Sequence, residues 1–224
     1  MLAKISPMKV LFRGNFKETF ESTPPLDEKY TTPESKAKTI TVLGSSRTTS
    51  SVLESMDLCS KVTKDLVNSG YNILTGCGAH GIMGSAYNAA KENSVKDIKT
   101  GKPLQNLTII MEPAWGEEDF ENCVSIGRAS SEAERITKFS KTSDNFIVFP
   151  GSATTMQESV TLIQKNEYTK KNEHLKKIIL VGKEFFSGLT KQYQTLYDAK
   201  LLKHTPDELF KVVETEGEIL NELA

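Results

Sequence analysis

Hydrophobic positions in this chain fall into short apolar runs, separated by longer stretches in which apolar residues recur every three or four positions. The runs are TITVLG (39–44), YNILTG (71–76), LTIIME (107–112), DNFIVF (144–149) and KIILVG (177–182). Their β-branched and aromatic content, without strict alternation, predicts strands covered on both faces. Between the first two runs, Val52, Leu53, Met56, Leu58 and Val62 mark a helix over about 49–68, closed by Ser69 and Gly70. Further helices are predicted over about 81–93, 130–142, 153–166 and FFSGLTKQYQTLYDA, and 113–128 reads as an irregular or mixed connection. LFKVVE (209–214) reads as a last strand before a short terminal helix. Strands alternating with helices through short turns predict a doubly wound α/β fold, Rossmann-like, with a mostly parallel sheet and helices on both faces.

Residues 1–36 break this pattern. The stretch TPPLDEKYTTPESKAK is polar and carries three prolines, so 1–36 is expected to be an N-terminal extension and 37–224 a single nucleotide-binding domain. A chain of 24.8 kDa is long enough for one domain with a full core.

A net charge of −1 supplies no general attraction to nucleic acid or anionic lipid, which favours a small-molecule ligand. No apolar run reaches membrane-spanning length and Met1 to Phe20 lacks the apolar stretch of a secretory signal, so a cytoplasmic protein is expected. Cys59, Cys77 and Cys123 are scattered without Cys-x-x-Cys spacing and are read as thiols; His80, His174 and His204 are isolated. Neither a metal nor a cofactor is expected.

Candidate chemistry gathers in three strand-to-helix turns, which a parallel sheet brings to one edge. The first holds Gly44, Ser45 and Ser46, whose hydroxyls could bond a ligand. In the second, Gly76, Gly78 and Gly81 form Gly-x-Gly-x-x-Gly between a strand and a helix, followed by Met83 and Gly84. A dinucleotide site would also need an acidic residue about 20 positions on at the end of the next strand. Asp97 and Glu112 are badly placed for that, so a mononucleotide is favoured. The third turn, Pro150, Gly151, Ser152, Thr154 and Thr155, opens a helix whose first N–H groups would face a bound phosphate. Arg135 precedes its strand, and Glu158 lies one turn into its helix. The arginine offers a fixed cation, and the carboxylate, expected to be ionised at neutral pH, could stabilise an oxocarbenium ion or activate water. An ion pair on the surfaces of neighbouring helices is the commoner fate of such residues.

The segment from Arg135 to Glu158 resembles the lonely-guy family, also called lysine-decarboxylase-like. That family's signature is an Arg-Lys pair, a strand, and Pro-Gly-Gly-x-Gly-Thr-x-x-Glu. Arg135, Pro150, Gly151, Thr155 and Glu158 match it; Ile136 replaces its lysine, and Ser152 and Thr154 replace two of its glycines. The second turn is similar to the family's glycine run, with Cys77 in place of one glycine. The resemblance implies hydrolysis of the N-glycosidic bond of a nucleoside 5′-monophosphate, such as AMP or a cytokinin ribotide, with Arg135 and Glu158 as the catalytic pair and a homodimer as the assembly. It also admits a non-catalytic nucleotide- or molybdenum-cofactor-binding carrier or sensor.

Overall fold

A computed structural model describes residues 26–112, 120–170 and 173–224. Among them run seven strands: β1 (Thr39–Leu43), β2 (Asn72–Thr75), β3 (Asn106–Met111), β4 (Val124–Ala129), β5 (Asn145–Val148), β6 (Lys177–Val181) and β7 (Lys211–Val213). They form one parallel sheet in the order β4-β3-β2-β1-β5-β6-β7. The chain winds outward from β1 to one edge, returns to the centre at β5 and winds out to the other. The sense of winding therefore reverses between β1 and β5, and crossovers on its two sides lie on opposite faces. This leaves a crevice beyond their C-terminal ends.

The helices are α1 (Pro33–Ala37), α2 (Leu53–Asn68), α3 (Gly81–Asn93), α4 (Glu132–Thr142), α5 (Ala153–Tyr168), α6 (Ser187–Asp198), α7 (Pro206–Leu209) and α8 (Glu216–Leu223). Period-two side-chain direction splits the core into two layers. Ile40, Val42, Ile147 and Ile179 meet Val62 of α2 and Ile82 of α3 on one face. Leu43, Phe146, Val148 and Leu180 meet Phe139 of α4 and Leu162 of α5 on the other. This is the doubly wound fold that the apolar runs predict.

The structure corrects the sequence reading at β4, where an irregular connection was expected; residues 113–119 of that stretch lie outside the described part. β4 is an edge strand in which Ser125 and Arg128 are exposed, so its polar residues hide the strand pattern. Its inner positions are covered from the N-terminal side. Leu26 packs on Gly127, where an added Cβ would come within 2.8 Å of it, and the Asp27 N–H donates to the Ile126 carbonyl at 3.0 Å. Thr32 caps α1, and Asn145 Nδ2 donates to the Ala37 carbonyl at 3.0 Å.

Candidate functional site

β5 delivers the chain through Pro150 and Gly151 into α5, beside the β1–β5 crevice. Ser152 occupies the N-cap in extended geometry without a side-chain capping bond, and the first bond of the helix runs from the Met156 N–H to the Ser152 carbonyl at 3.0 Å. The N–H groups of Ala153, Thr154 and Thr155 come before that bond and have no acceptor among the described residues. They carry the positive end of a helix of 16 residues, an arrangement suited to an anion. Glycine is needed at 151, because any Cβ there would run into the Thr155 side chain.

One turn further along α5, Glu158 is only 8% exposed. Its counterpart Arg135 stands in the first turn of α4, whose start is fixed by Ser131 accepting from the Glu134 N–H at 3.2 Å. Arg135 is 5% exposed, so the two are not a surface pair. Arg135 Nη2 lies 3.8 Å from Glu158 Oε1, close enough for attraction and too far for a hydrogen bond. The other side of the guanidinium rests on the second turn, with Nη1 3.0 Å from where a Cβ on Gly76 would stand. The arginine thus joins α4, α5 and the β2–α3 turn.

The Glu158 carboxyl makes no hydrogen bond among the described residues. Burial pushes it up to about 7, an effect that Arg135 opposes and the nearby Glu132 carboxylate reinforces. The expectation that it is ionised at neutral pH is therefore corrected, because loss of hydration outweighs a guanidinium held at 3.8 Å. Near pH 7 the carboxyl is divided between its two protonation states.

The other two turns behave differently from what their composition suggests. Ser45 is turned inward: its hydroxyl donates to the Arg47 carbonyl at 3.0 Å and accepts from the Arg47 N–H at 2.9 Å. Its N–H donates to the Pro150 carbonyl at 3.1 Å, and its carbonyl accepts from the Ile82 N–H at 2.8 Å. Ser45 is a clip joining all three turns, and its hydroxyl is not available to a ligand. Ser46 is half-buried beside it. The same clip absorbs the start of α3, where the Met83 N–H also points at the Ser45 carbonyl at 3.4 Å and the Gly81 N–H donates to Thr48 Oγ1 at 3.3 Å. The run Gly76, Gly78, Gly81, Gly84 therefore serves close packing. Met83 covers Gly76 and Gly78, while Gly81, at φ +61, is pressed against the Ser45 carbonyl. At the start of α5 three consecutive amides have no acceptor among the described residues, whereas at the start of α3 the amides of Gly81, Ile82 and Met83 are bonded by the clip.

A cleft of about 270 Å³ lies between α4 and α5, lined by Glu132, Ile136, Thr154, Gln157 and Glu158 among others. Thr154 forms part of its wall without closing it. Ser152 adopts φ −80, and neither it nor Thr154 has a positive φ, so the two replaced glycines place no strain on the backbone. Ile136 belongs to the core layer beneath the cleft. Glu132 and the cleft residues Gln157 and Thr161 were missed in the sequence, where the i, i+3, i+4 spacing of 154, 157, 158 and 161 was the available signal.

The fold and the buried Arg135–Glu158 ion pair define a doubly wound α/β protein with an uncapped helix start beside its switch point. The chain matches the sequence profile described as "possible lysine decarboxylase" over residues 83–223, and it belongs to that family, the lonely-guy family of the Arg135–Glu158 segment. No protein of curated function matches it. Solved structures share the fold. The molybdenum cofactor binding protein of Rippkaea orientalis is 17% identical with a TM-score of 0.54, covering 83% of this chain and 92% of its own. The molybdenum cofactor carrier protein of Chlamydomonas reinhardtii is 16% identical with a TM-score of 0.54, covering 83% and 96%. TM1055, a structural-genomics target, is 18% identical with a TM-score of 0.58, covering 82% and 96%.

Proposed function

We propose that the protein hydrolyses the N-glycosidic bond of a nucleoside 5′-monophosphate, releasing the base and ribose 5-phosphate. The observation that carries this reading is Glu158: a buried carboxyl without a hydrogen bond among the described residues, facing a cleft one helical turn from unbonded amides. The phosphate is received by the amides of Ala153, Thr154 and Thr155, with the Ser152 and Thr154 hydroxyls beside them. That position sets the ribose against Glu158. As the bond from C1′ to the base nitrogen breaks, positive charge grows on the sugar, and the ionised carboxylate stabilises it. Water adds its oxygen to C1′ and one of its protons passes to Glu158; the departing base nitrogen takes a proton from solvent, and Glu158 returns its own to solvent, which restores the carboxylate. Arg135 keeps the carboxylate oriented and offsets the charge of phosphate and glutamate together.

A carrier of a nucleotide or of molybdenum cofactor is the second reading. It is favoured by the fold shared with proteins named for binding or carrying that cofactor, and by Ile136, which supplies no cation next to Arg135. Under either reading the ligand is a small phosphorylated molecule. The first reading includes pairing of two chains, supported by Val160 and Tyr168, which α5 leaves 41% and 69% exposed. A panel of nucleoside monophosphates incubated with the purified protein separates the two readings. The hydrolase releases base from at least one of them; tight binding without release from any supports the carrier.

A further inference from the structure

Among the described residues, one cluster plays no part in the proposed reaction. Cys77, in the turn after β2, and Cys123, just before β4, approach to 2.9 Å between sulfurs although 46 positions apart in sequence. Both are buried, beneath Tyr87 and Phe120. Cys77 holds φ +62, one of two non-glycine residues with positive φ among those described. A side chain tolerated at such a backbone angle has to be kept there by its surroundings, and outliers of this kind gather where the conformation has a use. Here the angle, aided by the Cys77 N–H donating to Thr75 Oγ1 at 3.1 Å, turns Sγ toward its partner. The two sulfurs are closer than non-bonded sulfur atoms ordinarily approach, and small side-chain rotations would join them.

We propose that Cys77 and Cys123 form a reversible disulfide when the protein meets a hydroperoxide. One thiol, as its thiolate, attacks the peroxide oxygen; the O–O bond breaks, giving a sulfenic acid and, from hydrogen peroxide, water. The second thiolate attacks the sulfenic sulfur, the S–S bond forms and a second water leaves. Two thiols lose two electrons and two protons, and one peroxide becomes two waters. The cross-link ties the β2–α3 turn to the start of β4, with β3 between them in the sheet. Gly76, against which the Arg135 guanidinium packs, is the residue before the cross-link, so oxidation fixes the floor beneath the arginine. Cys59 is an internal control, since its sulfur lies beside the Thr63 hydroxyl and the Ile82 carbonyl and not beside another sulfur.

The test uses the full chain and does not depend on turnover. The protein is exposed to stoichiometric hydrogen peroxide, denatured, alkylated and weighed. The expected product carries one alkylated thiol instead of three, contains a peptide pair joined through 77 and 123, and returns to three thiols with dithiothreitol. Cys59→Ala should leave the cross-link intact, and Cys123→Ser should abolish it. Amide hydrogen exchange over residues 76–84 should slow in the oxidised wild-type protein. Three alkylatable thiols after treatment, or sulfinic acid at either cysteine without a cross-link, would overturn the proposal.

Discussion

Glu158 has an electrostatic position that makes its role measurable. Its ionised form is required for the proposed chemistry, and its folded-state pKa stands near 7, so kcat/KM for AMP should rise with pH through that region. A phosphate monoester also titrates near pH 6. A limb that persists in the residual activity of Glu158→Gln therefore belongs to the substrate, whereas a limb that vanishes with the carboxyl belongs to Glu158. A profile flat from about pH 5.5 to 8.5 would count against the assignment. The Arg-to-Glu spacing was legible in the sequence because helix and strand lengths fix it. The pKa was not, because the loss of hydration at Glu158 depends on how α4 and α5 close over it.

At the scale of elements, the start of α5 combines exposed Ser152 with amides that have no acceptor among the described residues. An aspartate at that N-cap would satisfy them from within, stabilising the helix by about 1 kcal/mol while occupying and repelling the phosphate position. Ser152→Asp is expected to raise the melting temperature and to raise KM for AMP at least tenfold; an unchanged KM would remove the phosphate from this helix. The turn after β1 behaves as packing. A Cβ on Gly44 would come within 2.6 Å of the Ile82 side chain, so Gly44→Ala should destabilise the fold by about 1–3 kcal/mol, measured by urea denaturation. Here the sequence misleads for a physical reason. Glycine-rich turns look alike whether their amides meet a ligand or a neighbouring carbonyl, and only the meeting of Ser45 with the start of α3 distinguishes the two. β4 escaped notice for a related reason, since Ser125, Gly127 and Arg128 become a strand through pairing with β3 and cover from Leu26.

For the molecule as a whole, the raised carboxyl is a debt carried by the folded state. The unfolded chain releases the Glu158 proton near the ordinary value of 4.5, while the folded one holds it to about 7. Between these values the folded state binds more protons. Stability therefore falls as pH rises through this window and levels off above it, by roughly 3 kcal/mol for this group. Denaturant titrations at pH 5 and pH 8 should show the loss in the wild-type protein and a smaller one in Glu158→Gln; equal pH dependence in both would mean that Glu158 titrates normally. The alternation of apolar runs and helical stretches made the doubly wound sheet readable, because burial on both faces leaves a mark on every inner strand. The five inner strands carried that mark; of the two edge strands, β7 was readable from LFKVVE and β4, with Ser125 and Arg128 exposed to water, was not.

Base release from AMP by wild-type protein and by Glu158→Gln, with nucleotide binding measured on the same samples, tests the central claim most directly. Adenine from the wild type, a rate lower by roughly 10²–10⁴-fold in the variant and undiminished binding are the predicted results. Equal rates of adenine release by the two proteins would contradict the account.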